Sequence, residues 1–224
     1  MKKLSEIKGA IFDMDGLLFD SERLWDSLWP ICCEKMDLPL PPDSFYSEGR
    51  GMAGENYECL VRRYYPKTDV PQIIHLLWEL SEEYFSKGVP VKPGALELLE
   101  YLQTENIPCI VASSSPRNTI GQCLRNGGLM YYFIDIVSGQ DVKDSKPNPE
   151  IFLLAARRLG VDIHHCLVLE DSPNGVRAGH AAGAFTIMIP DILEPNEEIS
   201  ELYDACYRDL FEVKKMLQTR KSQE

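Results

Sequence analysis

The segment IFDMDG, residues 11–16, joins the end of a short apolar run to two carboxylates. Side chains of an extended backbone alternate between two faces. Asp13 and Asp15 therefore lie on one face of the segment, and Met14 lies on the other. Gly16 permits a turn directly afterwards. We predict a buried strand whose carboxyl end presents two carboxylates to one side.

Short apolar runs of the same kind recur along the chain. They are rich in Ile and Val, and apolar residues occupy both alternating positions, which is typical of strands covered on both faces. Five strands are predicted, over residues 8–12, 108–112, 133–137, 166–169 and 185–189.

Amphipathic segments with helix start and stop signals lie between these runs. In one of them Ser172 is a capping residue, Pro173 occupies the first helical position and Gly183 ends the helix. Helices are predicted over residues 95–103, 150–159 and 172–182. Strands that alternate with helices imply parallel pairing through right-handed crossovers. The predicted fold class is therefore α/β, with a doubly wound and mainly parallel sheet.

One stretch breaks the alternation, because helical patterns without a buried strand extend from about residue 22 to residue 88. An insert of this size is too long for a loop. We predict a helical cap domain over residues 20–88 and an α/β core domain over residues 1–19 and 89–224. Trp25, Trp29 and Trp78 are expected in the core of the cap.

Composition and charge exclude several classes of protein. The 224 residues include 23 Lys and Arg against 35 Asp and Glu, and the formal net charge of −12 argues against partners such as nucleic acids or anionic lipid surfaces. No apolar run approaches the length that spans a bilayer. The seven cysteines have irregular spacing, which favours reduced thiols. We expect a cytoplasmic monomer, and we expect residues 191–204, with six acids and no Lys or Arg, to form a solvated face.

Further polar residues follow the later predicted strands. Ligands bind outside the carboxyl ends of strands in open α/β sheets, where Ser113, Lys146, Glu170 and Asp171 would join the first two carboxylates. Carboxylates crowded together repel one another and require a cation, and hard oxygen donors suit Mg²⁺ better than zinc. A carboxylate nucleophile beside a metal, a hydroxyl and an ammonium group indicates phosphoryl transfer.

With these motifs in order, the sequence resembles the haloacid dehalogenase superfamily of phosphohydrolases. IFDMDGLLFDSE is similar to the first motif of that family and IVASSS to the second. SKPNPEIF resembles the lysine motif, and LVLEDSPNGVRAGHAAG resembles the acidic motif. The helical insert falls where the helical cap of the family falls. The subgroup it resembles includes beta-phosphoglucomutase and small phosphatases of sugar phosphates or nucleoside monophosphates.

The resemblance implies a role for each candidate residue. Asp13 would attack phosphorus and form an aspartyl-phosphate, while Asp15 would protonate the leaving oxygen and later deprotonate the attacking water. Ser113, assisted by Ser114, would hydrogen-bond a phosphoryl oxygen. Lys146 would neutralise charge between the phosphoryl group and the nucleophile.

The resemblance also implies a magnesium site. Asp13, Asp171 and the backbone carbonyl of Asp15 would bind Mg²⁺, and Glu170 would be a ligand directly or through water. The substrate implied is a small phosphorylated metabolite.

A phosphatase and a phosphomutase need the same core residues, so the cap must distinguish them. Beta-phosphoglucomutase-like proteins commonly carry a histidine after the first motif, where this chain has Trp25. That difference favours the phosphatase, with the phosphomutase as the alternative. Arg50 either meets a second charged group of the substrate or faces solvent from a Gly-rich turn. A receiver domain phosphorylated on Asp is a remote alternative. The acceptor Asp of receiver domains lies on a later strand, whereas the candidate nucleophile here follows the first strand.

Overall fold

A computed structural model describes residues 6–49, 52 and 54–221 of the chain. Its centre is a six-stranded sheet with the order β3-β2-β1-β4-β5-β6, and every strand pair in the described residues is parallel. The strands are Gly9–Phe12 (β1), Cys109–Ser113 (β2), Phe133–Ser138 (β3), Cys166–Glu170 (β4), Phe185–Met188 (β5) and Ala205–Cys206 (β6). The predicted α/β class and the five predicted strands are confirmed, and β6 is an addition.

Helices cover both faces of the sheet and form the insert between β1 and β2. In the described part of the chain they are Glu22–Met36 (α1), Asp43–Gly49 (α2), Gly54–Tyr64 (α3), Val70–Lys87 (α4), Ala95–Thr104 (α5), Arg117–Asn126 (α6), Glu150–Leu159 (α7), Pro173–Ala182 (α8), Glu197–Ser200 (α9) and Leu210–Lys221 (α10). The sequence pattern did not predict α2, α6, α9 or α10. None of these helices combines the length and the apolar composition that crossing a membrane requires.

The central strand β1 is buried on both faces, as its composition predicts. Phe12 packs into the larger apolar cluster on one side of the sheet, and Ile11 packs into a second cluster on the other side. One residue beyond the end of β1, the backbone N–H of Asp13 donates to the carbonyl of Leu169 at 3.0 Å. The carboxylate after β1 is therefore held beside the end of β4.

The insert has an apolar cluster of its own, in which Leu28 and Trp29 of α1 pack against residues of α2, α3 and α4. The two connections to the sheet run side by side, since the N–H of Asp20 donates to the carbonyl of Pro90 at 3.0 Å. These contacts support two domains, and the boundaries at residues 19/20 and 88/89 stay a prediction.

The acidic stretch 191–204 is not simply a solvated face, contrary to expectation. The side chain of Asp191 is only 3% exposed and accepts a hydrogen bond from Lys92 Nζ at 2.6 Å. Ile199 in α9 is fully buried. Charge counting missed these contacts because it does not show that Ile199, Leu202 and Tyr203 pack against the core or that Asp191 and Glu198 form ion pairs.

Two glycines with positive φ give a matched test of the packing of α10. Gly94 has φ +86°, and a Cβ there would lie 2.5 Å from the backbone nitrogen of Phe211. Gly160 has φ +70°, and a Cβ there would meet nothing within 4 Å. Gly160→Ala should lower the free energy of unfolding by roughly 1–2 kcal/mol, the cost of the left-handed conformation.

Gly94→Ala should cost about 1–3 kcal/mol more than Gly160→Ala, because α10 must also move. Urea unfolding followed by circular dichroism measures both free energies. Equal losses for the two variants would contradict the close approach of α10 to Gly94.

Candidate active site

The candidate residues meet where three neighbouring strands end. Asp13 follows β1, Ser113 is the last residue of β2, and Glu170 is the last residue of β4. Because β1 lies between β2 and β4, their carboxyl ends adjoin one another. The sequence prediction that these residues share one edge of the sheet agrees with this geometry.

Lys146 reaches the same point from the loop that precedes α7. Its ammonium group contacts Asp13 Oδ1, and it donates to Glu170 Oε1 at 2.6 Å and to the carbonyl of Ala112 at 3.2 Å. The side chain is only 4% exposed, and Nζ lies 4.9 Å from the ring centre of Phe152. Burial opposes the ammonium charge, but Asp13 and Glu170 outweigh it and raise the pKa of Lys146.

Glu170 is held by Ser172, the residue at the N-cap of α8. Its Oε2 accepts hydrogen bonds from the backbone N–H of Ser172 at 3.1 Å and from the Ser172 hydroxyl at 3.0 Å. A Cβ at Gly175 would lie 1.8 Å from Glu170 Cδ. The absence of a side chain at Gly175 is therefore what makes room for the carboxylate, a role that the sequence analysis missed.

Three carboxylates of the site can offer oxygen atoms to one ion. Ligand atoms of Asp13, Glu170 and Asp171 all lie within 4.8 Å of one another, and all three residues are buried. Burial raises the pKa of Asp13 well above its usual range, and Glu170 and Asp15 act in the same direction against Lys146. A divalent cation would favour the ionised form. The all-oxygen donor set with excess negative charge fits Mg²⁺.

Asp15 is held by three hydroxyl groups. Its Oδ1 accepts from Ser21 at 2.7 Å, and its Oδ2 accepts from Ser115 at 2.7 Å and from Ser113 at 3.2 Å. Of these three serines, the sequence analysis named only Ser113 as a site residue, and it expected the Ser113 hydroxyl to bind a phosphoryl oxygen. A signal for Ser115 was present, because residues two apart on an extended chain share a face.

A cavity of about 370 Å³ lies above these residues, between the sheet and the helical insert. Asp13, Asp15, Ser113, Ser114, Lys146 and Asp171 line its floor. Glu170 lies behind Lys146 and is fully buried. Arg50, a candidate for substrate contact, lies outside the described residues.

The three tryptophans of the insert all line the cavity but differ in burial. Trp29 is 2% exposed and belongs to the cluster within the insert, as expected. Trp25 is half-buried and packs against the same cluster, whereas Trp78 is half-buried and packs edge to face on Trp25. All three line the cavity. Amphipathic spacing did not distinguish these positions, since a cavity wall and a core present the same apolar pattern in sequence.

Solved structures share this architecture along nearly the whole chain. A hydrolase from Pseudomonas syringae superposes with a TM-score of 0.81 at 25% identity and covers 95% of this chain and 98% of its own. A beta-phosphoglucomutase from Clostridium difficile superposes with a TM-score of 0.77 at 22% identity, covering 97% of this chain and 100% of its own, and shows the fold alone.

Several curated relatives are named as phosphatases. Hexitol phosphatase B of Escherichia coli K12 is 30% identical over 217 residues, which is 93% of this chain and 95% of the relative. A phosphorylated carbohydrates phosphatase of Thermotoga maritima is 32% identical over 177 residues, covering 79% and 82%. A Drosophila melanogaster protein named "Probable pseudouridine-5'-phosphatase" is 32% identical over 203 residues, covering 85% and 84%.

The family model described as haloacid dehalogenase-like hydrolase matches residues 10–189, which span β1 to the end of β5 and contain every candidate residue above. This chain therefore belongs to the haloacid dehalogenase-like hydrolases and is a phosphatase of that family.

Proposed function

We propose that the protein is a Mg²⁺-dependent phosphatase that hydrolyses a small phosphorylated metabolite, a sugar phosphate or a nucleoside monophosphate, through an aspartyl-phosphate on Asp13. One observation carries the proposal. The Asp13 carboxylate lies at the floor of the cavity between the sheet and the helical insert, with the Lys146 ammonium group on one oxygen. This arrangement places a nucleophile and a positive charge beside the space that a phosphoryl group would enter.

In the first step an Asp13 oxygen forms a bond to phosphorus as the bond to the ester oxygen breaks. Lys146 lies against the same carboxylate and offsets negative charge on the transferring group. Asp15 lines the same cavity and gives a proton to the leaving oxygen. In the second step Asp15 takes a proton from the water that attacks phosphorus and releases phosphate from Asp13.

Hydroxyl groups at the end of β2 bind the phosphoryl oxygens in this proposal. Ser114 is half-buried and lines the cavity. The Ser113 hydroxyl is fully buried and donates to Asp15, so its contact with a phosphoryl oxygen requires that this hydrogen bond be redirected.

The carboxylates of Asp13 and Asp171, with the backbone carbonyl of Asp15, would hold Mg²⁺, and Glu170 would act as a ligand directly or through water. The ion would supply positive charge to the phosphoryl oxygens.

All seven cysteines are free thiols, which supports a reducing, cytoplasmic compartment.

Replacement of the nucleophile gives the first test of this function. Asp13→Asn should lower the release of p-nitrophenol from p-nitrophenyl phosphate by at least about 10³-fold, because an amide is a poor nucleophile. Asp37→Asn is the control, since Asp37 is exposed and its φ of +53° suits asparagine. Equal turnover by both variants would refute covalent catalysis by Asp13.

The phosphomutase alternative is tested with glucose 1-phosphate in the presence of Mg²⁺. A phosphatase releases inorganic phosphate and glucose from it, or leaves it unchanged, while hydrolysing other monoesters. Conversion to glucose 6-phosphate faster than any phosphate release would establish the phosphomutase instead.

Metal removal should abolish activity reversibly. Dialysis against EDTA should stop phosphate release, and added Mg²⁺ should restore it. Without a cation, the negative charge of the carboxylate cluster repels the phosphoryl group. Asp171→Asn should raise the Mg²⁺ concentration for half-maximal activity by about 10-fold or more. Asp37→Asn should leave that concentration unchanged. Full turnover of the native chain in EDTA would contradict the magnesium site.

The space at Gly175 gives a test of the support beneath Lys146. Gly175→Ala should displace Glu170 and lower the rate of phosphate release by about 10²-fold, since Lys146 loses a fixed partner. Gly121→Ala in α6 is the matched control, because its Cβ would approach only the end of the flexible Arg125 side chain.

Gly121→Ala should keep full activity, and circular dichroism should show both alanine variants folded. A folded Gly175→Ala variant with native activity would show that the Glu170 position does not matter for turnover.

A further inference from the structure

The wall of the cavity opposite Asp13 is built from aromatic rings on four different helices. Half-buried rings line it from α1, α2, α3 and α4, namely Trp25, Tyr46, Tyr57 and Trp78. Ile74 and Leu77 add apolar surface from α4. A leaving group bound to the phosphoryl group at Asp13 would therefore lie against aromatic surface.

These rings are fixed by their neighbours, so the wall is formed before a ligand binds. Trp25 and Trp78 pack edge to face with their ring centres 4.9 Å apart. The indole N–H of Trp29 donates to the Tyr57 hydroxyl at 3.0 Å, and Trp29 packs edge to face on Phe45 at 4.6 Å. Fixed rings bind a flat ligand with little loss of side-chain entropy.

Two acidic residues of the insert also line the cavity, Asp26 on α1 and Glu58 on α3. Carboxylates accept hydrogen bonds from hydroxyl and N–H groups and repel a second phosphate. The floor adds Asp13, Asp15 and Asp171, against which Lys146 is the one cation among the described lining residues. These described lining residues suit a ligand with one phosphate and a remainder that carries hydrogen-bond donors.

A heteroaromatic ring fits this wall better than a hexose or a hexitol. Each hydroxyl of a sugar that is buried without a partner costs free energy, and the described wall is mainly apolar. A nucleobase presents two apolar faces for stacking and confines its polar atoms to one edge. The ribose hydroxyls and the base edge then match the few acceptors present.

We propose that the substrate is a nucleoside monophosphate, whose base stacks on the aromatic wall while the phosphate lies at Asp13. This inference rests on the proposed phosphatase function and selects one of its two substrate classes. Trp78 and Tyr46 are specificity-determining residues in this proposal, and they take no part in the phosphoryl transfer itself.

The test compares kcat/KM for phosphate release among monoesters that differ only in the leaving group. Uridine and adenosine 5'-monophosphate carry the base, and ribose 5-phosphate lacks it. At least one nucleotide should exceed ribose 5-phosphate by about 10-fold or more, the range expected from stacking of one base. Sorbitol 6-phosphate and fructose 1,6-bisphosphate should be poorer substrates than that nucleotide.

Variants of the wall test where the preference arises. Trp78→Leu keeps apolar bulk and removes the ring, so the ratio of nucleotide to ribose 5-phosphate should fall at least about 5-fold, while Trp78→Phe should retain part of it. Tyr46→Leu gives the same test from another helix if Trp78→Leu fails to fold. Tyr84→Leu is the control, because Tyr84 lies on the same helix as Trp78, is 42% exposed and does not line the cavity.

The outcomes distinguish failure of the nucleotide inference from failure of the proposed phosphatase function. If ribose 5-phosphate, sorbitol 6-phosphate or the bisphosphate equals or exceeds both nucleotides, the nucleotide inference is overturned and the phosphatase function stands. An unchanged ratio in folded Trp78→Leu or Tyr46→Leu overturns stacking on the wall. If no monoester releases phosphate in Mg²⁺, and Asp13→Asn behaves identically, the proposed function fails and the inference with it.

Discussion

A buried ammonium group requires buried negative partners, and the contact of Lys146 with Asp13 and Glu170 meets that requirement. Much of the surrounding structure follows from it. Asp13 can reach Lys146 because the central strand β1 ends there. Glu170 can do so because Ser172, at the N-cap of α8, supplies two hydrogen-bond donors and Gly175 leaves space. Removing one partner would leave charge without compensation in a site that water barely reaches.

The same contact leaves the site negatively charged, since the carboxylates around Lys146 outnumber its single positive charge. An anionic substrate must also approach a chain with a net charge of −12. Attraction at the site therefore has to be local. Lys146 supplies one part of it, and the oxygen donors of Asp13, Glu170 and Asp171 are suited to hold the divalent cation that would supply the rest.

Sequence reasoning found the floor of the site because its signals are local. Strand, carboxylate and turn follow one another at Asp13, and Glu170 likewise ends a buried run. It missed Gly175 and Ser21, although each lies within six residues of its partner, because the path of the backbone through a turn, and not the residue type, brings each pair together. Ser21 stands at the N-cap of α1, where a hydroxyl usually binds the helix backbone, yet it donates to Asp15 instead. Trp78 was assigned to a core because periodicity identifies an apolar face without identifying what covers it.

The two carboxylates of the first motif are consequently held in different ways. Asp13 contacts Lys146, a residue of the sheet domain, whereas Asp15 binds Ser113 and Ser115 after β2 and also Ser21 at the start of the insert. In the proposed reaction, the nucleophile Asp13 and its partner Lys146 both belong to the sheet domain. The proposed leaving group would instead meet the helices of the insert, whose aromatic residues line the same cavity. Changes in the aromatic wall can therefore alter which ester is accepted while the contacts of Asp13 remain as they are.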